Sequence, residues 1–392
     1  MQKKNPLIGA ILLIAGTAIG AGMLAIPVVT AFAGFFPSLL LLSVVWFYFF
    51  ITAWLLVDVN LASPGEANFI GMVSRNLGPG GKWICWVAYL LLLYSLTAAY
   101  ISGSAPLFSK AIFFLTGWTT PAWISPVPLF FLFGIFVYLG TRSVDRVNRL
   151  LMIGLTMSYV FLVVFLTPEM NFDLLLRSDP SAVWMAVPVI FTSYGFHIII
   201  PTLSTYLNHN VKRLRKSIFI GSLIPFFIYM IWELFILGVV PVEGENGLSS
   251  AWRLGESSVE PLRDVLQNQW VGTFANLFSF FAIITSFLGV SLSLSDFLAE
   301  GLHMRRFTWG REMACLLTFF PPLAFVYLYP GGFILALQYA GLFVAILLCI
   351  FPALMAWKLP QYKSIFRKTV LSVVVLIASL VVVLDLLSKK YV

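Results

Sequence analysis

The chain has 392 residues, of which 60% are apolar, 16% aromatic and only 10% charged, with a mean hydropathy of +0.96. A soluble domain is about a quarter charged, so this chain cannot cover a water-facing surface, which excludes cytosolic enzymes, nucleic-acid binders and disordered scaffolds. The net charge of +8, from 24 basic and 16 acidic residues, becomes a question of which side of a bilayer holds the Lys and Arg.

Each helical crossing needs roughly 20 mainly apolar residues. Apolar runs divided by charged or Pro/Gly breaks predict eleven crossings, at about 7–31, 35–57, 83–107, 127–140, 150–167, 183–207, 217–240, 270–298, 313–329, 331–357 and 367–387. The run behind Lys3 and Lys4 is too long for a signal peptide and lacks a small-residue exit. The fourth run is short unless it takes in the segment around Pro121, Pro126 and Pro128. Cys85, Cys315 and Cys349 sit inside apolar runs without a CxxC or Cys/His pairing, which predicts small buried side chains and no disulfide framework or zinc site. No soluble domain interrupts the chain, so one transmembrane domain spanning 1–392 is expected.

With the N-terminus inside, the outer segments hold Lys110, Arg177, Arg253, Arg263, Lys389 and Lys390, and the inner segments hold the remaining eighteen of the 24 basic residues. The longest outer segment, 241–269, carries Glu243, Glu245, Glu256, Glu260 and Asp264. This asymmetry predicts a cytoplasmic N-terminus and a C-terminus on the opposite side. The run Lys212, Arg213, Arg215 and Lys216 reads as a cytoplasmic topology anchor.

The first span contains GTAIGAGMLAIP, from Gly16 to Pro27. Gly16, Gly20 and Gly22 lower helix propensity and free the backbone to turn. One reading is a local unwinding halfway across the bilayer, with amides at a half-helix N-terminus able to hold an anion such as a carboxylate. The other is close helix packing, because Gly16-xxx-Gly20 also fits a small-xxx-small pattern. The sixth span carries a matching interruption, FTSYGFHIIIP, from Phe191 to Pro201. Paired interruptions at corresponding positions point to a transporter site between inverted repeats. They lie five spans apart, and an odd number per half gives the halves opposite topology.

His197 is the only histidine inside a span, and Glu233 lies midway along the seventh. An ionisable side chain at membrane depth is expensive and invites a functional reading, and a histidine suits a proton-coupled step; both side chains could equally be satisfied within the packing. The eighth span contains AIITS, Ala282 to Ser286. The hydroxyls of Thr285 and Ser286 either back-bond to the preceding turn or offer oxygen to a small hard cation. His197, His209 and His303 are far apart in sequence, so no cluster supports a membrane-embedded enzyme.

The stretches GTAIGAGMLAIP at 16–27, LTAAYISG at 96–103, PVIFTSYGFH at 188–197, TSFLGVSLSLSDFLA at 285–299 and FFPPLAFVYLYPGGFILALQYAG at 319–341 occur in the order found in the hydroxy and aromatic amino acid permease family. The chain resembles that family from its first span to its tenth, and within it the tyrosine-specific branch, with tryptophan permeases as near relatives. Ile198, Ile199 and Ile200 depart from the smaller or polar residues expected after His197. The resemblance implies an all-α, five-plus-five inverted-repeat fold like that of the leucine transporter, in repeats of about 7–167 and 183–357, plus an extra C-terminal helix at about 367–387. It implies import of tyrosine or another aromatic amino acid across a bacterial inner membrane by alternating access. No cofactor, nucleic acid or obligatory protein partner is implied beyond the lipid bilayer and the coupling ion, a proton or sodium. By the same resemblance, Thr17, Gly20, Ala21 and Gly22 bind the substrate carboxylate and amine. Phe191, Thr192, Ser193 and Tyr194 line the other wall, with Tyr94 and Tyr100 as gate candidates. Gly16, Ile19, Ala282, Thr285 and Ser286 match a cation site, and His197 and Glu233 are the coupling candidates.

Overall fold

The computed structural model describes residues 6–63, 68–306 and 309–388, and among the described residues every regular element is helical. Lys3, Lys4, Lys389 and Lys390, which enter the orientation argument, lie outside the described residues, as does the side chain of Arg305. Helices follow from the solvent. In hydrocarbon each backbone N–H and C=O must find a partner within its own segment.

Helix α1 (Pro6–Ala18) and α2 (Gly22–Thr30) form one span bent by 53°. Helix α3 (Phe35–Leu61) turns Phe36, Leu40, Val44 and Phe47 outward and buries Leu42, Val45, Phe49 and Leu56. A helix apolar all round has lipid on one side and protein on the other. Helix α4 (Phe69–Thr116) is 48 residues long, kinked at Gly78 where φ is +79°. Helix α5 (Val127–Leu139) has 13 residues and stands where the short fourth run was expected. Helix α6 (Thr141–Leu166) begins nine residues before its apolar run. Its polar first turns hold an Arg149–Asp145 pair at 2.7 Å, and hydropathy marks only the part that lipid requires.

The next span is discontinuous. A tight turn at Pro180–Ala186 leads into α7 (Val187–Ser193), and after an interruption a second tight turn, His197–Ile199, leads into α8 (Ile200–Tyr206). Helix α9 (Val211–Val239) follows, then two short helices in the segment expected to be a loop, α10 (Leu248–Leu254) and α11 (Val259–Leu266). The chain ends with α12 (Gln269–Gly301), α13 (Gly310–Leu328), α14 (Phe333–Val344), a π-helical stretch Ala345–Ile350, α15 (Phe351–Ala356) and α16 (Ile365–Ser388). Among the described residues nine helices are long and apolar enough to cross a membrane, ten when α1 and α2 count as one span.

Helix α12 packs against α6 and α4, α14 against α4 and α7, and α1 against α9, while α16 lies along α15 and the π-helical stretch. Tyr48 on α3 donates to Val374 O on α16 at 2.7 Å. Packing in lipid relies on close approach, which small residues permit. At Gly221 on α9 a Cβ would lie 2.8 Å from Ile14 Cβ. At Gly341 on α14 it would fall on the carbonyl of Pro188, so α14 and α7 touch backbone to backbone.

The loops gather into two faces. One holds the turn at Gly34, where φ is +84° and Ala33 O accepts from Asp179 N at 2.8 Å, together with α10 and α11. Its side chains are mainly acidic, and the Ser181 hydroxyl and N–H hold the Asp179 carboxyl below the usual carboxylate range. The opposite, basic face is tied by Arg215–Asp58 at 2.7 Å and by Tyr362 donating to Asp58 at 2.8 Å.

The α14–α7 contact predicts that Gly341→Ala costs about 1–3 kcal/mol, read as a lowered thermal midpoint in detergent. Gly289→Ala on α12, where a Cβ meets nothing within 4 Å, is expected to be neutral or to gain up to about 1 kcal/mol.

Candidate functional site

The bend between α1 and α2 occupies residues 19–21. Its backbone recovers partners by tightening: Met23 N donates to Gly20 O at 3.1 Å and Leu24 N to Ala21 O at 3.1 Å. Ala21 N turns out of the helix and donates to Ser286 Oγ on α12 at 3.1 Å. A Cβ at Gly20 would strike that same hydroxyl, so glycine here is required by close approach. At Gly22 a Cβ would lie 2.9 Å from Ser193 Oγ, at the end of α7. The two interruptions therefore adjoin, and the N-terminal end of α2, with its dipole-positive amides, lies against the C-terminal end of α7.

Tyr229 on α9 joins them. Its hydroxyl lies 2.6 Å from Ala18 O, the last carbonyl of α1, and 2.9 Å from Ser193 O, the last of α7. Tyr194 packs edge-on against it at 5.3 Å between ring centroids, and its own buried hydroxyl has no hydrogen-bond partner. Tyr100 on α4 lies near enough to interact with both Tyr229 and Ser286.

The structure thus brings Gly20, Ala21, Gly22, Ser193, Tyr194, Tyr100 and Ser286 to one place. Other expected residues point elsewhere. Thr17 is exposed, and its hydroxyl donates back to Leu13 O at 2.7 Å. Phe191 packs edge-on against Phe49 at 5.1 Å, and Thr192 donates to Leu337 O on α14 at 2.9 Å. Helical residues advance by about 100° each, so four consecutive side chains cannot share one wall. Tyr94 donates to Leu317 O on α13 at 2.9 Å, which separates it from this place. In the expected cation set, Gly16 faces Met152, 3.8 Å from where a Cβ would stand. Ile19 N stays bonded to Ala15 O at 2.9 Å. Thr285 back-bonds to Phe281 O at 2.8 Å, and Ala282 is fully buried.

His197 and Glu233 are both fully buried and differ in how they are held. His197 Nε2 meets Thr52 Oγ1 at 2.9 Å, while Phe49 O lies 3.0 Å from the same hydroxyl. Nε2 either accepts from Thr52 or donates to it, according to the tautomer, and Nδ1 has no hydrogen-bond partner. Glu233 Oε1 is paired with the hydroxyl of Thr30, in the last turn of α2, and Oε2 has no hydrogen-bond partner. Neither Tyr229 nor Thr30 stood out in the sequence. Tyr229 lies one turn before Glu233 on the same face of α9, and that spacing was the available signal.

The two faces are built differently. On the acidic face Ser258 N, just before α11, donates to Leu24 O of α2 at 2.9 Å. Glu260, only 4% exposed, is paired with Lys110 and with Arg263, the latter at 3.1 Å. On the basic face a cavity of about 900 Å³ opens between the start of α4, α8 and the end of α12. Ile198, Thr202, Trp86, Ser293 and Phe297 are among its walls.

Known proteins resemble this arrangement throughout its length. A family model described as the tryptophan/tyrosine permease family matches residues 3–388. "Tyrosine-specific transport system 1" of Haemophilus influenzae is 36% identical over 90% of this chain and 88% of that protein. "Tryptophan-specific transport protein" of Pseudomonas aeruginosa is 31% identical over 91% and 87%. These relatives are named for transport and not for catalysis. The crystal structure of MhsT in complex with L-phenylalanine shares the fold, with a TM-score of 0.64 and 15% identity across 97% of this chain and 98% of that one.

Thr30 is the hydrogen-bond partner of a buried carboxyl group. Thr30→Val is expected to cost about 1–3 kcal/mol, the penalty for stranding a buried polar group, whereas Thr30→Ser keeps the hydroxyl and most of the stability. Thermal unfolding of the two purified variants in one detergent separates them.

Proposed function

This chain belongs to the tryptophan/tyrosine permease family, and we propose that it imports tyrosine, or aromatic amino acids generally, across a bacterial inner membrane by proton-coupled symport. The observation that carries this reading is the meeting of two helix breaks, with the N-terminal end of α2 against Ser193. An amino-acid carboxylate suits the amides at Gly20 and Gly22, and that of Ala21 once Ser286 releases it, and Tyr100 and Tyr194 offer aromatic walls. Tyrosine is preferred because the relatives in Haemophilus influenzae named for tyrosine are 36% and 34% identical. Tryptophan-named relatives at 33% and 31% support a tryptophan-preferring carrier as the second reading.

For coupling we favour Glu233 over His197. Thr30 has one proton and two neighbours, Ile26 O at 2.7 Å and Glu233. When Glu233 is ionised, Thr30 donates to it. When Glu233 is protonated, it donates to Thr30, which turns its own proton to Ile26 O. The hydroxyl thus serves both states, and the change is felt in the last turn of the half-helix that also borders the substrate position. Thr52 offers His197 a similar exchange between Phe49 O and the imidazole, but it stands on α3, outside the half-helices that border the substrate position. Sodium at Gly16, Ile19, Ala282, Thr285 and Ser286 is the alternative coupling site, and exchange is the alternative mode.

We read residues 7–167 and 183–357 as two inverted repeats of five crossings, α5 included, with 367–387 as an eleventh. The basic face is then cytoplasmic, with the N-terminus, and the C-terminus is periplasmic. We read the short helices over α2 on the acidic face and the cavity on the basic face as an inward-facing stage of alternating access.

Labelled tyrosine, tryptophan and phenylalanine are offered to proteoliposomes under an imposed proton gradient, then a sodium gradient. One charge moved inward gains about 2.3 kcal/mol per 100 mV, enough for roughly forty-fold accumulation. If none of the three accumulates under either gradient, the symport reading fails. Gly22→Leu is expected to abolish uptake with folded protein still in the membrane, because the side chain enters the space beside Ser193. Glu233→Gln is expected to lose proton-driven accumulation yet keep counterflow of substrate, while His197→Ala keeps both. The reverse pattern would move the proton to His197.

A further inference from the structure

Ala18 and Ser193 end the first halves of the two broken spans, so their carbonyls lie at the dipole-negative ends of α1 and α7. In transporters built on discontinuous helices, unwound carbonyls and the C-terminal ends of half-helices are the groups that coordinate a coupling cation. Here both carbonyls converge on one buried point, and the atom standing there is the hydroxyl of Tyr229, at 2.6 Å and 2.9 Å. Tyr229 is fully buried, with Tyr194 packed edge-on against its ring. A phenol carries one proton and no positive charge. It can satisfy these two carbonyls in turn or share its proton between them, and it leaves no oxygen cage for a metal ion.

We infer that Tyr229 is a built-in substitute for a cation at the junction of the two breaks, a positioning residue whose proton holds α1 and α7 together and closes that junction to sodium. This rests on the transport reading above and adds to it. The junction moves as a unit because one hydroxyl from α9 grips both ends. The ion that drives transport must act elsewhere, and Glu233 lies one turn further along the same face of α9.

The test uses the full chain with three side chains at this position, and its stability arm does not depend on transport. Thermal midpoints of the wild type, Tyr229→Phe and Tyr229→Ser are measured in detergent, in sodium chloride and in choline chloride. Tyr229→Ser removes the ring and its hydroxyl, leaves the two carbonyls facing a gap that water and an ion can enter, and is expected to be stabilised by sodium over choline by binding linkage. The wild type and Tyr229→Phe are expected to respond to sodium less than Tyr229→Ser does. In proteoliposomes, Tyr229→Phe keeps the ring and loses the proton. Its maximal uptake rate should fall on the order of tenfold, the scale of one stranded buried carbonyl, with KM within about twofold. Wild-type uptake rates in Tyr229→Phe, equal stabilisation of the wild type and Tyr229→Ser by sodium, or no sodium effect on Tyr229→Ser would each overturn the assignment. If the wild type accumulates no aromatic amino acid, the transport reading fails, while the midpoints still decide what occupies the junction.

Discussion

Hydrocarbon supplies no hydrogen bonds, so each peptide group released from a helix at membrane depth must be met by some other part of the protein. Two breaks side by side release several at once, and the surrounding structure is organised around receiving them. Ser286 on α12 takes the amide of Ala21, Tyr229 on α9 takes the carbonyls of Ala18 and Ser193, and the turns after each break tighten to recover what they can. Helices α9 and α12 thus act as a frame, and their positions follow from the polar groups they must reach. The glycines at 20 and 22 serve the same end by letting those partners come close.

The same constraint gives the protein its two unlike ends. Where loops leave the lipid, charge becomes affordable, and the acidic face uses it to bind a lid of short helices over α2. Surface ion pairs contribute little. Glu260, however, is buried between Lys110 and Arg263, and removing one partner of such a pair is far costlier than the pair is worth. The lid's backbone contact from Ser258 to Leu24 reaches the half-helix directly, so movement of the lid and of α2 are linked. The basic face keeps a cavity between three helices, and the acidic face has one beside α10, bordered by Trp252, Arg253 and Ile334.

Much of the fold was legible because lipid imposes a coarse rule on sequence. Apolar runs marked the spans, and the stretches 16–27 and 191–201 contain the two breaks. Ser286 was legible from its place in the eighth span, and Glu233 and His197 stood out as isolated ionisable groups. What could not be read was direction. Residues 191–194 are consecutive in sequence and face four ways in the structure, toward Phe49, Leu337, Gly22 and Tyr229. Tyr94 lies two turns from Tyr100 and faces a different helix. Tyr229 was hidden by composition, since one tyrosine among many aromatic residues has no signature until its hydroxyl is seen between two carbonyls. The helices of the 241–269 segment were missed because they are short, polar and stabilised by what they cover.

Helix α4 passes every level of this arrangement. Trp86 borders the basic cavity, Tyr100 reaches the junction of the breaks, and Lys110 grips the lid. From residue 82 to residue 110 a helix runs about 42 Å at 1.5 Å per residue. A rod of that length, in contact with both ends of the molecule, would behave as a lever: a small tilt about its middle displaces the two ends in opposite senses. Opening at one end and closing at the other would then be a single mechanical stroke, timed by geometry and needing no messenger between them.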